Sequence, residues 1–217
     1  MKNWLYRMEY KYGRHAIQNL MMTVVIGMAL VYVADLLNPT VNLQSYLYLS
    51  RDALLRGQVW RRFTFIFLPP DSQPLFIVIS LYFYYWIGGS LESQWGSFRF
   101  NIYYLCGMLG AILSCFITGG ATNYYLNMSL FFAFAALFPD MRVMLFFVIP
   151  IKVKWLGIAN AVLFAFSFLT GGWGTKAAIL TSLLNFFLFF GPDLIRRIRQ
   201  DSKYWRTRAR FRRNNRS

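Results

Sequence analysis

Long apolar stretches between polar connections dominate the middle of this 217-residue chain. Residues 1–15 and 193–217 hold 17 of the 31 charged side chains, and the 177 residues between them hold only 14. Charged residues make up 14% of the chain, against about 25% in ordinary soluble domains. A soluble nucleic-acid-binding protein could carry the net charge of +15, but not together with a mean hydropathy of +0.39. An apolar body with basic ends predicts a polytopic membrane protein.

Six segments are predicted to be transmembrane helices of an all-α membrane protein. A bilayer core about 30 Å thick needs roughly 17–25 apolar residues in each helix. The predicted spans are 16–37, 74–91, 100–118, 122–138, 155–170 and 177–190. A long polar connection, 38–73, separates the first two spans. The apolar stretch 143–149 is too short to span and is predicted to be re-entrant or interfacial.

The distribution of Lys and Arg predicts the orientation of these spans. With six spans both termini lie on one side, and that side carries 18 cations against five on the other. We therefore expect both termini to be cytoplasmic, in a bacterial cytoplasmic membrane. The predicted organisation is a basic cytoplasmic segment 1–15, a membrane domain 16–190 and a basic cytoplasmic tail 191–217.

Residues that could form a catalytic or metal centre are scarce. The chain has one histidine, His15, in the basic N-terminal segment, and no acidic pair inside a predicted span. Metal centres need clustered His, Cys or carboxylate side chains, so neither a metal nor another cofactor is expected. A serine nucleophile needs a base, and no His or Lys shares the membrane interior with the serines of the spans. These serines are therefore expected to be helix-packing hydroxyls.

Two features suggest how the predicted helices pack. Glu92 is expected at the cytoplasmic end of the second span and Arg142 just past the fourth, so an ion pair between them would brace the bundle. Small residues recur at four-residue spacing in the third span, at Gly107, Ala111 and Cys115. This spacing favours a face for close helix approach within the molecule over a dimer interface.

Several motifs in register resemble the rhomboid superfamily. They are Gly57-Gln58, Trp60-Arg61 and Phe63-Thr64 in the first loop, Gly88-Gly89 followed by Glu92, then Gly96-Ser97, Leu137-Phe138-Pro139 and Arg142-Val143. The resemblance covers most of residues 16–190. It implies a six-transmembrane-helix bundle with a long interfacial first loop. It also implies a structural motif made of Trp60, Arg61, Gly88, Gly89, Glu92 and Arg142.

The resemblance does not extend to the catalytic residues of active rhomboids. Those enzymes carry a serine nucleophile at the start of span four, a histidine in span six, and a His and an Asn in span two that help form the oxyanion hole. The matching positions here are Asn127, Ala177, Phe76 and Ser80. A short alignment slip could bring Ser129 to the nucleophile position, but it supplies no base. The resemblance therefore implies a pseudoprotease, comparable to the derlins and the inactive rhomboids, that is not an enzyme.

By the same resemblance, the chain is expected to bind or steer transmembrane client proteins. The possible client-facing residues are Tyr82, Tyr84, Trp86, Tyr124 and Tyr125. The aromatic residues of span two could instead face lipid. A second hypothesis is an intramembrane serine peptidase with a non-standard mechanism, whose base would come from Lys176 or a loop. A third is a structural membrane subunit.

The lipid bilayer is an expected partner under every hypothesis. The tail from Arg196 to Arg216 carries ten cations and one acid. We expect it to contact anionic lipid, at about 1 kcal/mol per cation near the surface. Nucleic-acid binding by the tail is the minor alternative, because the tail is tethered at the bilayer.

Overall fold

In a computed structural model of the chain, residues 2–38, 41–70, 73–145 and 149–189 are described. The architecture is all-α apart from two small β-ribbons. In chain order the helices are α1 (Lys2–Tyr12), α2 (Leu20–Leu37), α3 (Leu43–Leu47), α4 (Arg51–Leu55), α5 (Arg61–Thr64), α6 (Pro74–Trp95), α7 (Ser97–Thr118), α8 (Tyr124–Leu137), α9 (Val153–Thr170) and α10 (Trp173–Phe189). The predicted basic tail 191–217 lies outside the described residues.

The six apolar segments predicted as spans all fold as helices, with ends that move by no more than about four residues. Local chemistry explains two of these ends. Pro74 begins α6, where a missing backbone N–H is no loss because it would have no partner in the helix. Gly96 has a φ of +83° and lets the chain turn directly from α6 into α7.

Four of the helices, α2, α6, α7 and α9, are long and apolar enough to cross a membrane, and α8 and α10 are shorter. The 14 residues of α8 extend about 21 Å, less than the hydrocarbon core of a bilayer. Seven of them are buried: Leu126, Asn127, Ser129, Leu130, Phe131, Ala133 and Phe134. Because its neighbours surround it, α8 is a central core helix.

Small residues allow the helices to approach closely. Gly88 of α6 packs against the Met21 side chain of α2, whereas Gly89 has open space where a Cβ would lie. A Cβ added at Gly110 would lie 2.6 Å from Cγ2 of Thr181 on α10. Gly107, on the small-residue face predicted for the third span, packs against Leu126 and the Asn185 amide. Its contacts are with α8 and α10, which confirms packing within the molecule.

The described part of the first loop folds into short elements that pair with the α7–α8 connection. It contains α3, α4, α5 and a 3-10 turn at Phe65–Phe67. Strand β1 (Leu49–Ser50) pairs antiparallel with β2 (Gly120–Ala121), so that Leu49 lies opposite Ala121. The prediction of a long first connection is confirmed, and the pairing ties it to the start of α8.

A β-hairpin joins α8 to α9. Strand β3 (Arg142–Leu145) pairs antiparallel with β4 (Ile149–Lys152). The apolar stretch 143–149 was predicted to be too short to span, and its described residues, 143–145 and 149, lie in this hairpin rather than in a helix. Whether the stretch is re-entrant or interfacial stays a prediction.

The two ends of the molecule differ in what they carry. The ring of Phe83 in α6 contacts that of Phe131 in α8, with centroids 6.0 Å apart. Three residues further along each helix, Trp86 contacts Phe134 at 5.0 Å. The two helices therefore run in the same direction. The end where both helices begin carries the first loop and is named the loop end. The end where both helices finish carries the β3–β4 hairpin and is named the hairpin end. Helix α1 also lies at the hairpin end, where Glu9 Oε2 accepts from Arg99 Nη2 at 2.8 Å.

Candidate functional site

The side chain of Arg61 holds the first loop together from inside. It is 7% exposed and donates to the carbonyl oxygens of Ser45 and Tyr48, each at 2.7 Å. A third bond runs from Nε to Gln58 Oε1, also 2.7 Å long. A buried cation must be compensated by hydrogen bonds, and the several donors of one guanidinium bridge α3 to α5. Trp60, the other loop residue of the predicted structural motif, is exposed.

A buried asparagine fixes the end of this loop against the start of α8. Asn123 precedes α8 and is 4% exposed. Its Nδ2 donates to the carbonyl oxygens of Ile66 at 3.0 Å and Leu68 at 2.8 Å. On the other side of the loop, the Arg51 backbone N–H donates to the carbonyl of Gly119 at 2.9 Å. The loop therefore covers the loop end of α8 at a defined distance.

A cavity of about 500 Å³ lies between the loop and the helix starts. One wall belongs to the first loop and is formed by Asn42, Gln44, Ser45, Tyr48, Leu68, Pro69 and Pro70. The other wall is formed by Tyr84, Thr122, Asn123 and Tyr124. Of the described residues that line the cavity, none carries a charge, and most offer amide, hydroxyl or aromatic groups. Such a surface suits neutral hydrogen-bonding groups, such as peptide amides, rather than ions.

Beside this cavity lies the position that matches the nucleophile of active rhomboids. Asn127 is 3% exposed and lies one turn before Phe131, whose ring contacts Phe83 of α6, so it is on the side of α8 that faces α6. Neither Nδ2 nor Oδ1 of its amide has a hydrogen bond of ordinary distance and angle. Tyr84, which lines the cavity, is its weak side-chain partner. The amide is thus a buried polar group with unused hydrogen-bonding capacity next to an accessible chamber.

The five aromatic residues expected to face a client do not share one surface. Tyr84 and Tyr124 line the cavity. Tyr82 is 68% exposed on another side of α6. Trp86 stacks edge-on against Phe134, and Tyr125 lies edge-on to Phe164 at 5.9 Å. Only Tyr84 and Tyr124 are therefore at the candidate site, and Trp86 and Tyr125 pack the core.

The other positions that match lost catalytic groups lie on α6 and α10. Phe76 lies near the start of α6 and is 45% exposed, and Ser80 is half-buried one turn further along. Ala177 is half-buried on α10, where its carbonyl accepts from Thr181 Oγ1 at 2.7 Å. All four positions are described, and no hydrogen bond joins any of them to another. These positions stay predictions based on the resemblance.

Ser129, the alternative nucleophile position, lies on another side of α8. It is 1% exposed, and its hydroxyl forms a hydrogen bond with the Tyr103 hydroxyl. It borders a small cavity of about 20 Å³ between α7, α8 and α10, which has room for about one water molecule. The same cavity meets Ser182, whose Oγ donates to the Tyr125 carbonyl at 2.8 Å, and Asn185, whose Nδ2 donates to the Tyr103 carbonyl at 3.3 Å.

Sequence reasoning missed three residues that organise this part of the molecule: Asn123, Tyr103 and Asn185. Each is buried and hydrogen-bonded to another element. An asparagine inside an apolar helix was a usable signal, because a polar group in a membrane needs a partner. Among the described residues, no group of three His, Cys, Asp or Glu side chains comes together as a metal site would require.

Glu92, at the hairpin end, does not pair with Arg142. Its Oε1 accepts from the Asn19 backbone N–H at 2.8 Å and from Ser97 Oγ at 2.6 Å. Arg142 is exposed on the β3–β4 hairpin. The predicted ion pair is therefore wrong: the carboxylate is used to join the starts of α2 and α7, and the hairpin carries the arginine away from it.

Comparison with known proteins identifies the class of this chain. A family model described as "Eukaryotic integral membrane protein (DUF1751)" matches residues 18–190, which include all the long apolar helices. No curated protein matches the chain. The family description is eukaryotic and does not support the expected location in a bacterial membrane. The chain is an integral membrane protein in contact with the lipid bilayer, and it belongs to the DUF1751 family.

Proposed function

We propose that this chain is a catalytically inactive, rhomboid-like membrane protein that binds transmembrane client proteins through the loop-end cavity. The order of motifs in residues 16–190 and the six apolar helices support a rhomboid-like six-span bundle. The neutral, hydrogen-bonding lining of the cavity supports a peptide occupant. The bound part of the client is the stretch where its transmembrane helix meets the interface and its backbone or a polar side chain is available for hydrogen bonding.

The observation that carries this proposal is the Asn127 amide. A buried amide without a full partner costs about 1–3 kcal/mol. A client group that entered past Tyr84 and formed that bond would recover part of this cost. The aromatic rings of Tyr84 and Tyr124 would supply contact area at a low cost in conformational entropy. The site is thus incomplete by itself and completed by a partner.

Site-specific photo-crosslinking in cells tests the client part. Crosslinkers at Tyr84 and at Tyr124 are expected to capture membrane proteins. A crosslinker at Tyr82 is the matched control, because it lies on the same helix as Tyr84 and is exposed outside the cavity. It is expected to capture lipid. Asn127→Leu should reduce protein capture from Tyr84 without changing capture from Tyr82.

Two outcomes would contradict the client hypothesis. Capture of lipid alone at all three positions would leave the cavity without a client. Stoichiometric co-purification with one partner that crosslinks at Tyr82 but not at Tyr84 would support a structural membrane subunit instead.

A fluorophosphonate probe on the purified chain tests the proposed inactivity. No labelling is expected, because the Ser129 hydroxyl is paired with the phenol of Tyr103 and Asn127 stands at the matched nucleophile position. Lys176, the base considered for a non-standard mechanism, has its Nζ 5.5 Å from the centroid of the Trp173 ring. Labelling that disappears in Ser129→Ala would establish a serine enzyme and end the pseudoprotease hypothesis.

A further inference from the structure

Two cations face each other across the β3–β4 hairpin. Arg142 and Lys152 are direct partners in the antiparallel ladder. Side chains directly opposite in such a pair project from the same face, with Cβ atoms about 4.5–5.5 Å apart, and like charges there are destabilising. One acid contacts the pair, since Asp140 Oδ1 lies 3.1 Å from Lys152 Nζ. These three side chains carry a net charge of +1, which a further anion would neutralise.

The two faces of the hairpin differ in composition. Val143 packs against the hydrophobic core from one face. The other face carries Arg142 and Lys152 together with Met144, which is 67% exposed. The chain continues into Lys154 and Trp155. Trp155 is 60% exposed, and the centroid of its ring lies 5.8 Å from the Lys154 ammonium. Cations beside exposed apolar and indole side chains are typical of the membrane interface.

Hydrogen bonds hold this surface at the level of the helix ends. The Val153 backbone N–H donates to the Met141 carbonyl at 2.8 Å, and the Lys154 N–H donates to the Pro139 carbonyl at 3.1 Å. The base of the hairpin is therefore fixed to the first turn of α9, which enters the apolar layer directly after it. Because α9 is long and apolar enough to cross a membrane, a cation pair directly before its first turn is expected at the level of the bilayer phosphate groups.

We propose that Arg142 and Lys152 bind the phosphate of an anionic phospholipid in the leaflet at the hairpin end. The planar guanidinium can donate two parallel bonds to phosphate oxygens, and the ammonium adds a point charge. Met144 and Trp155 would then contact the acyl chains of the same lipid. This site consists of other residues than the predicted basic tail and the loop-end cavity, and it is independent of the client hypothesis.

Fluorescence quenching of Trp155 by brominated lipids tests the site in the full chain. The chain is reconstituted in phosphatidylcholine vesicles containing a minor fraction of phosphatidylserine, with either lipid brominated on its acyl chains. The Trp155 signal is the difference between the chain and its Trp155→Phe variant. We expect brominated phosphatidylserine to quench it more than its bulk fraction predicts, by roughly fivefold for each cation engaged.

Matched variants distinguish lipid binding at this site from a general attraction of anionic lipid to the positive charge of the chain. Arg142→Gln with Lys152→Gln should remove most of the enrichment and leave only the contribution of Lys154, and Asp140→Asn should raise it by removing the competing carboxylate. Arg56→Gln with Arg62→Gln, at exposed cations of the loop end, should leave it unchanged. Quenching by brominated phosphatidylcholine should stay constant in every variant whose fold is intact. Equal quenching by both lipids in the unmodified chain, or enrichment that the Arg142 and Lys152 changes do not reduce, would overturn the proposal.

Discussion

Helices α8 and α9 are both apolar, and the β3–β4 hairpin joins them, yet they occupy opposite environments. Half of α8 is buried, seven of its 14 residues, whereas α9 has only Val153 and Phe164 buried among its 18. Hydropathy does not distinguish the two helices. Length does, because a helix too short to cross a bilayer is stable inside a membrane protein only if other helices surround it.

The same comparison explains where a polar side chain can be held for function. Asn160 of α9 is half-buried, and its Nδ2 donates to the Leu156 carbonyl of its own helix at 3.2 Å. Asn127 of α8 is buried and has no hydrogen bond of ordinary geometry. On the outer helix one N–H of the amide is satisfied by a carbonyl of its own helix. On the inner helix the amide has only the weak partner Tyr84, which lines a cavity.

The largest expected difference between the two helices is in the free energy of unfolding that is lost when one aromatic ring is removed from each. Phe134 of α8 is fully buried between Trp86 and Phe138, with centroid distances of 5.0 and 5.2 Å. Phe134→Ala should lower the free energy of unfolding by about 3–5 kcal/mol, because it leaves a cavity. Phe166→Ala on α9, at a ring that is 63% exposed, should cost less than about 1 kcal/mol. Equilibrium unfolding in detergent measures both, and equal losses would contradict the assignment of α8 as the core helix.

Replacing each asparagine by leucine should change the free energy of unfolding differently on the two helices. Asn127→Leu is expected to raise the free energy of unfolding by about 1–2 kcal/mol, because it removes a buried amide that lacks full partners. Asn160→Leu should change it by less than about 0.5 kcal/mol. Thermal unfolding in detergent is the measurement. A clear loss of stability in Asn127→Leu would mean that the amide already has a strong partner within the chain.

The contact between α8 and α9 depends on a glycine. A Cβ added at Gly157 would lie 2.9 Å from the Cβ of Ala135, closer than two such atoms normally approach. Gly157→Ala should therefore lower the free energy of unfolding by roughly 1 kcal/mol through overpacking. Gly172→Ala is the control, because nothing lies within 4 Å of a Cβ there. If both variants unfold at the same temperature, the two helices can separate without cost.

The smallest effect is expected at the base of the hairpin between the two helices. The hydrogen bond from Lys152, followed by the charge of that side chain, lowers the pKa of Asp140 below its ordinary value. A carboxyl group whose pKa is lowered by folding stabilises the folded state above its unfolded pKa, and this contribution is lost as the pH falls through the folded value. The difference in melting temperature between the chain and Asp140→Asn should thus be present in full at about pH 6 and decrease as the pH falls below about 4. It should be small, because the pair is exposed. A difference that does not decrease on acidification would exclude this ion pair as its cause.

The helices could be predicted from the sequence because each depends on a local run of apolar residues. Interactions between distant segments could not. The Glu92–Arg142 pair was a reasonable expectation from the predicted helix ends, but the carboxylate found partners at Asn19 and Ser97 instead. The Asn123 bonds to the loop join residues 55 and 57 positions apart, and no local pattern indicates such a pairing.

The aromatic residues of α6 illustrate what could have been predicted more sharply. Residues in an α-helix are about 100° apart around its axis, so Tyr82 and Tyr84 lie roughly 200° apart and cannot share one face. Periodicity alone therefore separates them. Which of the two lines a cavity depends on where the first loop and the start of α8 lie, and this follows from Arg61 and Asn123.

Hydropathy and charge were enough to predict a membrane protein with six apolar helices, because both act over short segments of the chain and need no partner. The sequence by itself also determined that His is missing from residues 16–190, on which the expectation of inactivity rests. Three properties became visible only in the folded chain: α8 is the inner helix, Asn127 contacts a residue that lines a cavity, and Arg142 faces Lys152 across a hairpin. These properties arise from contacts between segments far apart in the chain, which are chosen by packing and hydrogen-bond satisfaction over the whole molecule.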